Sequence, residues 1–440
     1  MWNGKGLFIL VTVIKFYELT TWKGRIAKMK KSKLIIIWLV MIFTLVGCRV
    51  NNDKPSNESN NDNNKQLTEK EKLDDFEYMY TILKDNYPFF EVNKRLNGVD
   101  WLAKKDDYMK RIKATPNDES FYSTMNVILS DIHNGHTSLV DKDFYSTLRT
   151  SFEKDYEYRE AWLKQMNNPK TIERYSSMKE KEDSISSEED SSYKKLKTMD
   201  LEKGKVAYIS IYSFLDPHME EDMKIINPYL DQIKNYKALV IDIRNNSGGN
   251  NQYWISIVKR LISKPVEYNY YMAFRGGDFQ EQFIKNAYGF GYEKLEPISN
   301  IDKEKLTNMP PELKEDFKYY YKATDTIEPK ETIGFKGKIY LLVDGHNFSS
   351  SEQFANFSKS TGFATLVGEK TKGDGIGFQP AVCSLPNSGY ILSFPEEMGL
   401  NPDGSCDFEV KTEPDIVVPA QVNADISKDE AIQTVLKLIN

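Results

Sequence analysis

Residues 338–362 read KIYLLVDGHNFSSSEQFANFSKSTG, and the rest of the chain is organised around them. Residues 339–343 are a short apolar run rich in β-branched and aromatic side chains, broken by Asp344-Gly345, so the pattern predicts a buried strand ending in a turn. From Glu352 the period changes: Phe354, Ala355 and Phe357 share a helical face, and Gly362 stands where a C-terminal cap belongs. Between strand and helix lie His346, Ser349, Ser350 and Ser351. A serine on a tight strand-to-helix turn exposes its hydroxyl beside the unpaired amides of a helix N-terminus, which is what acyl transfer needs. The competing expectation is structural: Ser349-x-x-Glu352 has the form of a capping box, which does nothing but start a helix.

At 440 residues the chain has the size of about two to three domains, and 40% hydrophobic with 12% aromatic content supports a sizeable core. A net charge of -6 without an Arg-rich run argues against a nucleic-acid partner. Met29-Lys30-Lys31-Ser32-Lys33 is basic, residues 34–46 are apolar, and Leu45-Val46-Gly47-Cys48 resembles a bacterial lipobox, whose cysteine is lipidated and becomes the mature N-terminus. Residues 29–48 are therefore expected to be a lipoprotein signal peptide, with 1–28 an upstream extension and Cys48 the lipid anchor. The competing expectation, an uncleaved membrane helix, is disfavoured because the apolar run falls short of the roughly 20 residues a span needs. Either way the body of the chain is expected on the extracytoplasmic side of the membrane. The polar residues 49–66 can bury almost nothing and read as a flexible linker.

Thr68 and Glu71 form a capping box ahead of Leu73, Phe76, Tyr80 and Leu83 at helical spacing. Two further helical patterns, from Asp100 to Ile112 and over about 119–129, make residues 67–140 a small helical N-terminal domain. It ends in LSDIHNGHTSLV (129–140), which holds two of the four histidines. Asn134-Gly135 is a turn signal that puts His136 at the start of a strand. Asp131-x-His133-x-x-His136 also permits a metal, but no Cys or further His stands near to complete a zinc set, so no metal or cofactor is expected. Residues 141–200 are mostly charged and read as a partly disordered insertion or a lid, above all 179–195.

Residues 201–440 read as the larger, α/β domain. In KALVIDIRNNSGGNNQYWISIVKRLI (237–262) a run apolar on both faces save Asp242 predicts a parallel strand, followed by a glycine loop and a helix striped with Trp254, Ile257, Val258 and Leu261. Gly248-Gly249 lets backbone amides approach a ligand, and without GxGxxG or GKS/T the loop suits an oxyanion better than a phosphate. Residues 265–336 are rich in Tyr and Phe and read only as an excursion. A hairpin is expected around residues 386–389, and a terminal helix from about Lys428. Cys383 and Cys406 are too few to imply a disulfide framework, and the sequence leaves open whether they pair.

DIHNGHT, VIDIRNNSGG, VDGHNFSSSE, LVGEKTKGDG and EPDIVV stand in the order found in the C-terminal-processing and tricorn-core family of serine peptidases, which the chain resembles over residues 68–440 apart from 141–200 and 265–336. The resemblance implies a crotonase-like spiral of ββα units behind a helical segment. It implies Ser349 as nucleophile and an oxyanion hole from the amide of Ser350 with that of Gly248 or Gly249. One branch of the family activates the serine with a lysine, whose position here is held by Asp374. The other, similar to the tricorn core, uses a histidine that matches His136, oriented by a carboxylate near the chain's end, for which Asp407 and Glu409 are the candidates. The PDZ module of many members has no counterpart.

The chain is thus expected to be a membrane-anchored extracellular serine peptidase acting on peptides or unfolded proteins, with His136 as base. His346 is the rival imidazole, and Lys370 and Lys372 lie in a glycine-rich loop expected to be exposed. The alternatives are an inactive peptide- or ligand-binding lipoprotein on the same scaffold, and a hydrolase of a non-peptide ester or lactam.

Overall fold

The computed structural model describes residues 66–178 and 196–439. The signal peptide, Cys48, nearly all of the linker and residues 179–195 lie outside them. Helices α1 (Glu69–Asn86), α2 (Phe90–Asn97), α3 (Lys105–Lys113) and α4 (Asp118–Ser130) come first, then a two-residue strand, β1 (Ser138–Leu139). The capping box of α1 forms: the Thr68 side chain accepts from the Glu71 amide, and the Glu71 carboxylate accepts from the Thr68 amide. Sequence periodicity missed α2, which has only 8 residues and buries just Phe90, Val92 and Asn93.

Residues 141–178 correct the expectation of a charged, partly disordered insertion. They form α5 (Lys142–Lys154), α6 (Tyr156–Met166) and α7 (Pro169–Ser177). Their apolar side chains recur at helical spacing between the charges, and Tyr145, Leu148, Phe152, Trp162, Leu163, Met166 and Tyr175 are buried. Composition alone dilutes that signal.

The elements that follow are β2 (Lys197–Glu202), β3 (Val206–Ser210), α8 (Asp216–Ile233), β4 (Ala238–Asp242), α9 (Asn251–Leu261), β5 (Val266–Phe274), α10 (Asp278–Tyr288), β6 (Glu296–Pro297), α11 (Leu313–Asp316), β7 (Tyr319–Ile327), β8 (Lys338–Val343), α12 (Ser350–Thr361), β9 (Thr365–Gly368), β10 (Ala381–Ser384), β11 (Ile391–Phe394), β12 (Glu397–Leu400), α13 (Asp407–Val410), β13 (Ile416–Val417) and α14 (Glu430–Ile439). The main sheet runs β13-β9-β8-β4-β3-β2. All its neighbours are parallel except β2 and β3. Both faces are covered, as an apolar parallel sheet requires. Leu239, Ile241, Leu341 and Val343 pack with Trp254 of α9 and Phe354 and Phe357 of α12. On the other face Val240, Tyr340 and Leu342 meet Ala431, Ile432 and Val435 of α14.

The excursion over 265–336 supplies most of a second, antiparallel sheet, β12-β5-β7-β6, in which β5 and β7 pair from Val266↔Ile327 to Phe274↔Tyr319. A third sheet, β1-β11-β10, shares one continuous core with the helices α1 to α7, so those helices are not a separate module. The Arg244 guanidinium, fully buried, bridges Asp242 at 2.6 Å and Asp429 at 2.9 Å, tying the end of β4 to the start of α14. Part of IDIRNNSGG is therefore structural. Cys383 and Cys406 are buried free thiols. Among the described residues no helix is long and apolar enough to cross a membrane.

Candidate active site

Strands β4 and β8 are adjacent and in register to Asp242↔Leu342, so the loops that follow them leave the sheet side by side. They are stitched together by buried polar groups. The Asn347 side-chain amide donates to Ile243 O and Asn246 O, and the Ser351 hydroxyl donates to Asn246 O at 2.6 Å while accepting from the Phe348 amide at 2.9 Å. Ser351 is a fastening of the turn.

Ser349 sits at φ 58°, ψ -128°, immediately before α12, and its side chain makes no capping hydrogen bond. Positive φ is strained for a residue with a Cβ and recurs at functional turns. The capping box suggested by Ser349-x-x-Glu352 does not form. Glu352 instead turns inward, its carboxylate accepting from the Gly373 amide at 3.2 Å and the Thr412 hydroxyl at 2.6 Å. The half-buried Ser349 hydroxyl is left to the site.

Gly248 lies flush against this turn: a Cβ there would come within 2.7 Å of Phe348 O and 3.0 Å of the Ser349 Cβ. At Gly249 a Cβ would strike the Phe214 backbone at 2.3 Å. Only glycine fits either position. The Gly248 amide is already engaged, donating to Asn246 Oδ1 at 2.8 Å. The Gly249 amide has no acceptor among the described residues. Neither has that of Ser350, the first residue of α12, which lacks an intrahelical partner by position.

His136 comes to this turn from the far side of the chain. Its ring lies against Phe348, centroids 4.4 Å apart, and its Nδ1 is 2.7 Å from Asp374 Oδ2. Asn134 donates to the same carboxylate oxygen at 2.8 Å and accepts from the His136 amide at 2.8 Å. With Nδ1–H donating to Asp374, Nε2 carries the free lone pair. The expectation that Asp407 or Glu409 orients His136 is therefore corrected. Asp407 accepts from the Gly375 and Ile376 amides, and Glu409 pairs with Arg95. Asp374 was visible in the sequence only as the acid standing where a lysine base would be, yet an acid is what an imidazole base requires.

The rival bases fall elsewhere. His346 is 58% exposed and bonds through Nδ1 to Asp344 at 3.2 Å, which raises its pKa. Lys370 pairs with Glu413 near the surface. Lys372 departs from the expectation of an exposed side chain: its ammonium lies 5.3 Å from the Phe348 ring centroid, and burial, with the charge of Lys411, lowers its pKa. Asp131 is spent on Tyr108 and Lys104, and His133 is exposed at φ 57°, so the Asp131, His133 and His136 triplet does not converge.

Other carboxyls buried around the site carry raised pKa values. Burial pushes Glu397, whose carboxylate accepts from the Phe378 amide, up to about 8 from 4.5. Between those values the folded chain holds a proton that the unfolded chain has shed, so stability falls as pH rises through the window and levels off above it. Glu397→Gln keeps the acceptor and removes the titration. It should flatten the pH dependence of urea-unfolding free energy between pH 5 and 8 by about 1.4 kcal/mol per pH unit. An unchanged slope would show that Glu397 is ionised in the fold.

The family model for peptidase family S41 matches residues 205–418, which take in both loops. Two solved structures show the same fold. One is a candidate peptidase from Parabacteroides merdae, 20% identical with a TM-score of 0.53, the match covering 84% of this chain and 96% of that one. The other is mature CPAF complexed with lactacystin, 15% identical with a TM-score of 0.54, covering 84% and 98%. No curated protein matches the chain in sequence. The matched region, just under half of the chain, makes it similar to peptidase family S41, and with the mixed α/β fold it supports a serine-type hydrolase.

Proposed function

We propose that the chain is a lipid-anchored, extracytoplasmic peptidase in which Ser349 is the nucleophile and His136 its base. The observation that carries this is the uncapped, strained Ser349 turn packed beside an imidazole already paired with a buried carboxylate. His136 Nε2 takes the Ser349 proton as the oxygen attacks the peptide carbonyl carbon. The oxyanion is received by the amides of Ser350 and Gly249. As the C–N bond breaks, the imidazolium returns its proton to the leaving amine, and water, deprotonated the same way, releases the acyl group. The imidazolium formed at each step is stabilised by Asp374. The β3-α8-β4-α9 and β8-α12-β9 units support a crotonase-like spiral for the domain. Substrates are peptides or unfolded proteins.

An active-site phosphonate should label the wild-type protein in a gel, and absence of labelling would favour a binding scaffold. Lipidation of Cys48 rests on the sequence Leu45-Val46-Gly47-Cys48. Cys48→Ala should move the chain from the detergent phase to the aqueous phase, because two acyl chains anchor stably where none does not. Retention of the variant in the membrane fraction would instead indicate an uncleaved helix.

A further inference from the structure

Lys372 is held to the nucleophile turn by its backbone: its amide donates to Asn347 O at 2.8 Å, and the next residue, Gly373, forms a parallel bridge with Phe348. Its half-buried ammonium lies 5.3 Å from the centroid of the Phe348 ring, on which His136 also packs, one residue before Ser349. Lys411 is close enough for its charge to help lower the Lys372 pKa, and His346 feels the charge of Lys372 in the same way. Among the described residues neither lysine ammonium has a carboxylate or another hydrogen-bond acceptor. The carboxyls of the surrounding loops are engaged elsewhere: Asp374 with His136, Asp344 with His346, Glu369 with the Ala420 amide and Glu413 with Lys370. An aromatic face attracts a cation but offers no acceptor to its three N–H groups. A half-buried, unpaired ammonium beside a nucleophile is costly to keep, and the Ser349–His136 chemistry makes no use of it.

We infer that Lys372, aided by Lys411, receives a carboxylate of the substrate close to the bond that is cut, so that acidic peptides are preferred over neutral ones; this rests on the proposed role of Ser349 as nucleophile. A lysine ammonium is a compact point charge on a flexible stem, suited to a carboxylate oxygen that arrives with the substrate. The second lysine adds attraction for an anion, and the Phe348 ring keeps water from part of the ammonium, so the pair is less screened than on an open surface. A charge-assisted hydrogen bond in such a place is worth about 10–100-fold in affinity. Two sources present the same group: an Asp or Glu side chain near the scissile bond, or the free C-terminus of a peptide.

The test gives the full chain internally quenched peptides with blocked ends, in which one position after another carries Gln or Glu, and an all-Gln peptide with its C-terminus amidated or free. For the wild type, kcat/KM should be about 10–100-fold higher for the acid than for its neutral partner, at one Glu position if the side chain is the source or at the free C-terminus if the terminus is. Lys372→Met keeps an unbranched stem against Phe348 and should bring that ratio below about threefold, and Lys372→Glu should invert it. A wild-type ratio near one at every position and terminus, or a ratio that survives Lys372→Met, would overturn the inference and leave Ser349 and His136 in their roles. Loss of turnover of both partners by Lys372→Met, with their affinities unchanged, would make the lysine the base and overturn it as well. Should the wild type cleave nothing, the role of Ser349 fails, and fluorescence anisotropy of the same labelled peptides on Ser349→Ala reads the preference as a ratio of Kd, where equal values overturn the inference. Should Lys372→Met lose its thermal transition, Lys411→Asn, whose side chain tolerates the φ of 60° there, should lower the ratio about threefold, and an unchanged ratio would overturn the inference.

Discussion

Ser349→Ala should abolish hydrolysis, lowering kcat/KM on the order of 10⁴-fold or more, and should erase phosphonate labelling. The fold should hardly notice. A serine that caps a helix costs about 0.5–2 kcal/mol when replaced by alanine, but this hydroxyl caps nothing, so the loss should stay within about 0.5 kcal/mol. The neighbouring serines separate the roles. The Ser350 hydroxyl is buried without a partner, and Ser350→Ala keeps the backbone amide, so activity and stability should both persist. Ser351→Ala removes the bond to Asn246 O and leaves the Phe348 amide unmet, at about 1–3 kcal/mol of stability, and loosens the turn. A melting curve beside the activity assay distinguishes the three. Turnover by Ser349→Ala at more than a hundredth of the wild-type rate would remove Ser349 from the mechanism.

The parts of this site that follow from local pattern were legible in the sequence. A β-branched run broken by Asp344-Gly345 has little choice but strand and turn, and Gly248-Gly249 declares a backbone that must approach something closely. What local pattern cannot carry is which distant groups arrive at the turn. Asp374 is 238 residues from its partner His136, and nothing between them in the sequence marks the pairing. The same limit explains why Asp407 and Glu409 stood as the candidates for the orienting acid. Asp407 is indeed buried at the site, but its oxygens face amides rather than the imidazole. Residues 141–178 failed for another reason: charge density was taken as disorder, while the apolar residues between the charges kept helical spacing and reached the core. The strands β5 and β7 were missed where a stretch rich in Tyr and Phe, read only as an excursion, supplies the side chains of a sheet.

His136→Ala should be the most damaging substitution among the candidate bases, lowering kcat/KM about 10²–10⁴-fold, the range general base catalysis supplies. Asp374→Asn should follow it closely, since an amide facing Nδ1 favours the wrong tautomer and no longer stabilises the imidazolium. His346→Ala should lose little, its ring being exposed and held by Asp344. Lys372 is the serious competitor, because burial has lowered its pKa and its ammonium touches the same phenyl ring as His136. The two bases differ in what surrounds them. Asp374 stabilises the cation that His136 becomes, whereas Lys372 has a second lysine nearby and no carboxylate partner among the described residues. An imidazole base carries kcat/KM upward through the neutral range, whereas a lysine not fully relieved of its proton carries it upward only on the alkaline side. Lys372→Ala should therefore keep most of the activity and the same pH profile, with a modest rise in KM from the lost packing on Phe348. An inactive Lys372→Ala beside an active His136→Ala would make the enzyme a Ser-Lys peptidase and reduce His136–Asp374 to a fastening of the loop.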